Sequence, residues 1–180
     1  MHTTPITPKA AALATRLGAL VAAYQDIATT RMQGIPLLNE ALHVQAVGFE
    51  CVAQQAPKDG KNGETREGIS AVGVLITPWF MNLVWLPLQR LDHPRPVGAK
   101  MQRHVGSACF EFIAAHEDVF GSYEACSLFS PVLEFENQAA AVDTAQAVLA
   151  ALRQPAQTAP EVPARRAFLL GRGTAKAAHV

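Results

Sequence analysis

The sequence predicts an α+β domain of two layers, in which an antiparallel sheet carries an N-terminal and a C-terminal helix on one face. Apolar residues recur with helical spacing near each end of the chain, and short apolar runs separated by turn residues lie between them. Strands and helices do not alternate along the chain, which argues against a parallel sheet. The 180 residues, 49% of them hydrophobic, suit a single domain with its own core. We predict that this domain spans 1–153 and that 154–180 form a C-terminal arm.

The first helix is predicted over Lys9–Met32. Its apolar residues follow the spacing of one helical stripe: Leu13, Leu17, Leu20, Tyr24 and Ile27. Thr7 is a suitable N-cap with Pro8 in the first turn, and Gly34 and Pro36 end the helix. The alanine-rich opposite face could pack against a second body, although a helix that covers one sheet face is the simpler interpretation.

Six strands are predicted between the helices, because period-two patterns and β-branched runs are separated by turn residues. They span His43–Val52, Ile69–Thr77, Met81–Leu86, Lys100–Val105, Cys109–Ala115 and Tyr123–Phe129. The turn Pro78–Phe80 separates the second strand from the third, which makes these two strands antiparallel neighbours. Gly121 lies in the turn of the last hairpin. Segments 56–68 and 92–98, rich in charge, glycine or proline, are predicted loops.

The second helix is predicted over Glu136–Arg153, with Asn137 as its N-cap. Its apolar side consists of Ala139, Val142, Ala145, Val148, Leu149 and Leu152. Residues 154–163 have the proline and alanine content of a linker, and 164–172 form a short basic and apolar motif. Up to Ala150 the chain has 10 basic and 14 acidic residues, and after it 5 basic and 1 acidic. The basic arm could therefore dock on its own acidic body or reach an acidic partner.

Composition and charge exclude several functional classes. The net charge of zero leaves no basic field that would attract nucleic acid. The chain does not begin with a basic segment followed by an apolar one, and the longest apolar run, 71–88, contains Pro78, Asn82 and Pro87. We therefore expect neither export nor membrane insertion. Three cysteines without a CxxC pair indicate a reducing compartment, so the sequence predicts a cytoplasmic protein.

The chain carries none of the common catalytic motifs. It has no glycine-rich phosphate loop, no GxSxG and no HExxH. The six histidines are scattered over separate strands, turns and termini, and Cys51 and Cys109 are interpreted as packed strand residues. Cys126 lies near the end of a strand that runs into Pro131, where its side chain either packs or reaches the edge of a cleft.

Three motifs resemble one known family. They are Ile76-Thr77-Pro78-Trp79, Cys126-Ser127-Leu128-Phe129-Ser130-Pro131 and Arg165-Arg166-Ala167-Phe168-Leu169-Leu170-Gly171-Arg172, in that order. Together they resemble the HybE/HupJ-type assembly chaperones of nickel-iron hydrogenases, over most of the chain from about Leu13 to Arg172. The resemblance implies a cytoplasmic, non-enzymatic maturation factor without a resident cofactor, similar in fold to two-layer secretion chaperones.

The resemblance also implies the partners. These would be precursors of the hydrogenase large or small subunit, and the small-subunit precursor would carry a twin-arginine export signal. The chaperone would hold the precursor until cofactor insertion and subunit pairing are complete. Other maturation proteins are further candidate partners. The residues expected to contact a partner lie in the three motifs: Pro78, Trp79, Phe80, Ser127, Leu128, Phe129, Arg165 and Arg166. By composition alone, the aromatic residues among them could equally belong to the core, and Phe168–Leu170 could form an edge strand.

Cys126 is the candidate metal ligand. Some relatives in the family are linked to handling the iron-dicyanide-carbonyl precursor of the active site, which would need a soft ligand such as a thiolate. Three classes therefore stay open. A binding chaperone predicts a stable complex and an exposed apolar strip, and a scaffold for the iron unit predicts bound iron that is lost when Cys126 is replaced. A small-molecule enzyme predicts a deep polar pocket with perturbed titratable groups.

Overall fold

The computed structural model describes residues 7–53, 68–91 and 94–154. Its elements are α1 (Pro8–Thr29), β1 (Gln45–Ala53), β2 (Ile69–Ile76), β3 (Met81–Pro87), β4 (Lys100–Val105), β5 (Ala108–Glu117), β6 (Gly121–Phe129) and α2 (Gln138–Arg153). The predicted α+β class, with an antiparallel sheet and a helix near each end of the chain, is confirmed. Both predicted N-caps are confirmed as well, because the side chains of Thr7 and Asn137 accept hydrogen bonds from backbone amides in the first turns.

The six strands form one antiparallel sheet in the order β1-β2-β3-β6-β5-β4. The first three strands pair in chain order, and so do the last three. One pairing, between β3 and β6, joins these two sets, with Leu83 opposite Cys126 and Val84 opposite Ala125. β1 and β4 are therefore the two edge strands of the described sheet.

The two helices lie on opposite faces of the sheet, so the prediction of two layers with both helices on one face is wrong. Val72, Val74 and Ile76 of β2 pack in a cluster with α2, whereas Leu75 packs in a second cluster with α1. Successive side chains of a strand point to opposite faces, and both faces of β2 are therefore covered. The unbroken apolar runs of β2 and β3 are what strands buried on both sides require.

The sheet curls around the C-terminal end of α2. In a flat sheet of six strands, spaced about 4.8 Å apart, the two edges would be about 24 Å apart. Here both edges reach the same helix. Gly48 in β1 lies so close that a Cβ atom there would stand 2.6 Å from Leu149 Cδ1, and a Cβ on Gly106, between β4 and β5, would overlap the carbonyl oxygen of Leu152. Arg153 ties the helix to β1 through Gly48 O (2.5 Å) and Glu50 (2.9 Å).

Neither described helix combines the length and the apolar character that crossing a membrane requires. Apart from Gln154, the predicted arm lies outside the described residues, and so do 56–67 and 92–93 of the predicted loops. The predicted boundary between domain and arm stays a prediction.

Candidate functional site

Two of the three sequence motifs meet at one end of the sheet. The β2–β3 turn contains Pro78, Trp79 and Phe80, and Met81 directly after it pairs with Phe129 at the end of β6. The predicted contact residues of both motifs are thus neighbours in space. The third pair, Arg165 and Arg166, lies outside the residues that the structure describes.

The β2–β3 turn is held rigidly by Thr77, which is fully buried. The Thr77 hydroxyl oxygen accepts hydrogen bonds from the backbone amides of Trp79 (3.3 Å) and Phe80 (3.0 Å). The Thr77 amide in turn donates to Phe80 O at 2.9 Å. Local bonds of this kind fix a turn without help from a regular ladder. The backbone that presents Trp79 is therefore preorganised.

The Trp79 and Phe80 side chains are partly buried against α1. The Trp79 ring lies 6.3 Å from that of Tyr24 and 5.6 Å from that of Phe80, the latter in an edge-to-face arrangement. One side of the indole packs on the aromatic cluster and the rest is accessible, so partner contact by Trp79 stays a prediction.

Leu128 and Phe129 pack on the other face of the sheet. Asn82 pairs with Ser127 and Met81 with Phe129, so Leu128 is an extra residue in β6, which is a β-bulge. The bulge turns two consecutive apolar side chains toward the α2 cluster, and Ser127 is left exposed. Trp79 and Phe80 therefore lie on one face of the sheet. Leu128 and Phe129 lie on the other face, at the same end.

Asn39 joins the segments at this end, and sequence reasoning missed it. Its amide donates to Val132 O (2.9 Å) and Phe135 O (2.8 Å), and its backbone amide donates to Pro78 O (2.8 Å). Leu37 and Leu133, in two of the joined segments, are each 55% exposed. We call the end of the sheet that carries Leu37, Pro78, Trp79, Phe129 and Leu133 the Trp79 end. A lone asparagine in a loop gives no sequence signal for such a role.

Cys126 faces the α2 side of the sheet and is partly buried there. Burial, with a smaller contribution from the charge of Glu111, raises the pKa of the Cys126 thiol above its usual value. The thiol is therefore protonated at neutral pH, and a metal would have to displace that proton. Within the described ranges, three or more His, Cys, Asp or Glu side chains do not come together as metal ligands. The role of Cys126 as an iron ligand stays a prediction.

A groove of about 410 Å³ lies on the α2 face, between the two edge strands. Its floor is apolar and consists of Val52, Val72, Trp85, Leu149 and Leu152. Arg103 of β4 covers the Trp85 ring, with its guanidinium carbon 4.4 Å from the ring centroid. The indole Nε1 of Trp85 is buried and has no hydrogen-bond partner among the described residues. We call this cavity the β4 groove.

Comparisons with known proteins agree on one family. The family described as NiFe-hydrogenase assembly, chaperone, HybE matches residues 15–171. The chain is 46% identical over 169 residues to Protein HoxT of Cupriavidus necator, a match that covers 87% of this chain and 89% of HoxT. It is 36% identical over 135 residues to the Probable rubredoxin HupJ of Rhodobacter capsulatus, which covers 74% of this chain and 43% of that protein. The solution structure of HybE from Escherichia coli matches with a TM-score of 0.50 and 24% identity, over 89% of this chain and 91% of HybE.

Proposed function

Since the chain belongs to the HybE family of nickel-iron hydrogenase assembly chaperones, we propose that it binds a hydrogenase subunit precursor in the cytoplasm without catalysing a reaction. It holds the precursor until cofactor insertion and subunit pairing are complete. By binding the immature form and not the finished enzyme, it stabilises that form by mass action.

The Trp79 end is the surface that supports this proposal best. The observation that carries it is the Thr77-braced turn, which holds the partly exposed Trp79 indole in a fixed position. Aromatic anchors that are already ordered before binding lose little conformational entropy in a complex, and they often dominate the binding energy of interfaces. The exposed leucines Leu37 and Leu133 extend the apolar area around the anchor.

The residues of the Trp79 end suit binding rather than chemistry. All five are apolar or aromatic, so none of them offers an acid, a base or a nucleophile. Exposed apolar side chains bind apolar surface that an immature subunit still exposes and that becomes buried only in the finished enzyme. Hydrogenase subunits awaiting assembly present such surface, because their interface with the second subunit is unoccupied.

The proposal is tested with a tagged, unprocessed subunit precursor and three variants of the chain. Leu37→Glu and Leu133→Glu place charges in the Trp79 end at positions that are already half exposed, so the fold should persist. Val119→Glu is the control, because Val119 is 76% exposed in the β5–β6 turn at the opposite end of the sheet. We expect each of the first two changes to weaken precursor binding about 10-fold or more, and the control to bind as the unchanged chain does.

Trp79→Ala adds a hot-spot measurement. We expect it to cost about 2 kcal/mol or more of binding free energy. It also removes the contacts with Tyr24 and Phe80, so thermal unfolding is recorded for each variant. Full precursor binding by folded Leu37→Glu and Leu133→Glu variants would refute the Trp79 end as the contact surface. Absence of binding by the unchanged chain to either subunit precursor would refute the proposed function itself.

A further inference from the structure

The β4 groove runs along the unpaired backbone edge of β4. Five consecutive residues, Gln102–Gly106, line it. Gln102–Val105 belong to β4, and side chains of consecutive strand residues point to opposite faces, so one cavity that contacts all four follows the backbone edge between the faces. Among the described residues, no strand pairs with this edge. The groove therefore presents free N–H and C=O groups, and these bind an extended segment as an added strand.

The opposite edge of the sheet is closed to such an addition. β1 carries a bulge between Val47 and Glu50, and Arg153 donates a hydrogen bond to Gly48 O at that bulge. Bulges and covering side chains are the ordinary means of blocking an edge strand. In β4, by contrast, all six residues pair with β5 in unbroken register. Of the two described edges, β4 is the one prepared for a further strand.

We propose that the segment 164–172 of this same chain occupies the β4 groove as a seventh strand. The chain leaves α2 at Arg153, which itself lines the groove, and Gln154 has extended backbone angles. The 14 residues 154–167 can reach about 45 Å when extended, more than twice the roughly 20 Å length of β4. Tethering also gives the segment a millimolar effective concentration at the groove.

The chemistry of the segment matches that of the groove. As an added strand, Phe168 and Leu170 would point to the same side and cover the apolar floor around Trp85. Arg165, Arg166 and Arg172 flank this apolar centre. Glu50, on the groove, and Glu111, on the strand beside β4, form ion pairs with Arg153 and Lys100, but their side chains stay 63% and 47% exposed to a further cation. Opposite charges of this kind favour the pairing of segment 164–172 with β4 and set its register.

The docked segment has a consequence for binding partners. A partner that adds its own strand at β4 has to displace it, so the segment acts as a competitor built into the chain. Because the contact is intramolecular, it is measured without any client. Its failure and the failure of the proposed chaperone function are therefore distinguishable.

The test uses the full chain and nuclear magnetic resonance. Phe168→Asp with Leu170→Asp places two charges in the segment, and Ala175→Asp with Ala178→Asp places the same two charges beyond it as the control. The two tryptophans provide one reporter each: the Trp85 indole lies in the groove, and Trp79 belongs to the cluster on the other face. Amide hydrogen exchange of β4 is the second readout.

We expect the double change in the segment to shift the Trp85 indole signal and to leave the Trp79 signal in place. We also expect the amides on the free edge of β4 to exchange about 10-fold faster or more than in the control. A synthetic peptide of residues 164–172, added to the segment variant, should restore both readouts saturably. Equal Trp85 signals and equal β4 exchange in the unchanged chain and the segment variant would overturn the proposal, as would a peptide that fails to restore them.

Discussion

Arg103 and Glu124 form a two-point ion pair that is largely shielded from water. Nη2 of Arg103 donates to Oε1 of Glu124 at 2.7 Å, and its Nε donates to the other carboxylate oxygen. The side chains are only 15% and 11% exposed. The pair reaches from β4 across β5 to β6, and the same guanidinium lies over Trp85 of β3. One side chain thus fixes the position of the edge strand over the sheet.

Glu124→Ala should lower the free energy of unfolding by about 3 kcal/mol or more, because it leaves the Arg103 charge buried and unpaired. The double variant Arg103→Met with Glu124→Leu should be destabilised less than Glu124→Ala, since an apolar pair of similar volume needs no partner for a buried charge. Urea unfolding of Glu124→Ala, of Arg103→Met and Glu124→Leu singly, and of the double variant measures this. Additive losses in the double variant would mean that the ion pair itself is not the source of the effect.

Gly106→Ala should destabilise the protein far more than Gly98→Ala. Both glycines have positive φ values, 60° and 85°, so both changes carry the backbone cost of about 1–2 kcal/mol. A Cβ at Gly98 would meet open space, whereas a Cβ at Gly106 would overlap the Leu152 carbonyl oxygen. The difference in unfolding free energy between the two variants isolates the contact of the β4–β5 turn with α2. Equal losses would contradict that contact.

The two tyrosines should not ionise before the protein unfolds. Burial raises the pKa of both Tyr24 and Tyr123, whose hydroxyls are hydrogen-bonded to each other. A raised pKa in the folded state means that stability is intact below the ordinary phenol value of about 10 and falls as the pH rises above it. The chain has only these two tyrosines, so phenolate absorbance reports them alone. Phenolate formation should coincide with loss of circular dichroism. Ionisation in the folded protein would contradict the expectation.

Alkylation of Cys126 should be slow and should depend on Glu111. The raised pKa of the Cys126 thiol keeps the reactive thiolate scarce until the pH passes well above the ordinary thiol value of about 8.5. Iodoacetamide kinetics in a background with Cys51→Ser and Cys109→Ser follow this one thiol. Glu111→Gln removes the smaller of the two causes of the raised Cys126 pKa, so it should lower the pH midpoint of the alkylation rate. Asp118→Asn, in the β5–β6 turn, should leave that midpoint unchanged. An unchanged midpoint in Glu111→Gln would show that burial alone sets the reactivity.

The sequence was sufficient for the elements and insufficient for their arrangement. Capping residues and apolar spacing are local signals, so Thr7, Asn137 and the six strands could be predicted. The pairing of β3 with β6 joins residues about forty or more positions apart, and no local pattern encodes it. The continuous apolar runs of β2 and β3 did carry the signal for helices on both faces.

The motifs of the candidate site could be predicted from the sequence, but their meeting in space could not. The turn Pro78–Phe80 and the segment Ser127–Phe129 were identified as motifs, but only the sheet register shows that they meet. The bulge at Leu128 and the bonds of Asn39 depend on backbone groups that come from distant parts of the chain. The sequence gives no signal for the β4 groove, because the groove exists only where the curled sheet brings both of its edges to α2.

The strand order also bears on how the chain folds. Each half of the sheet is a meander whose neighbouring strands are consecutive in sequence, so each half is built from nearly local contacts. The β3–β6 seam is the strand pairing in the described sheet that closes the longest loop. Loop-closure entropy grows slowly with length but is lost before the contacts that offset it have formed. Forming this seam therefore costs more loop-closure entropy than any other strand pairing of the described sheet, and we expect variants at the seam to slow folding more than variants within either three-stranded half.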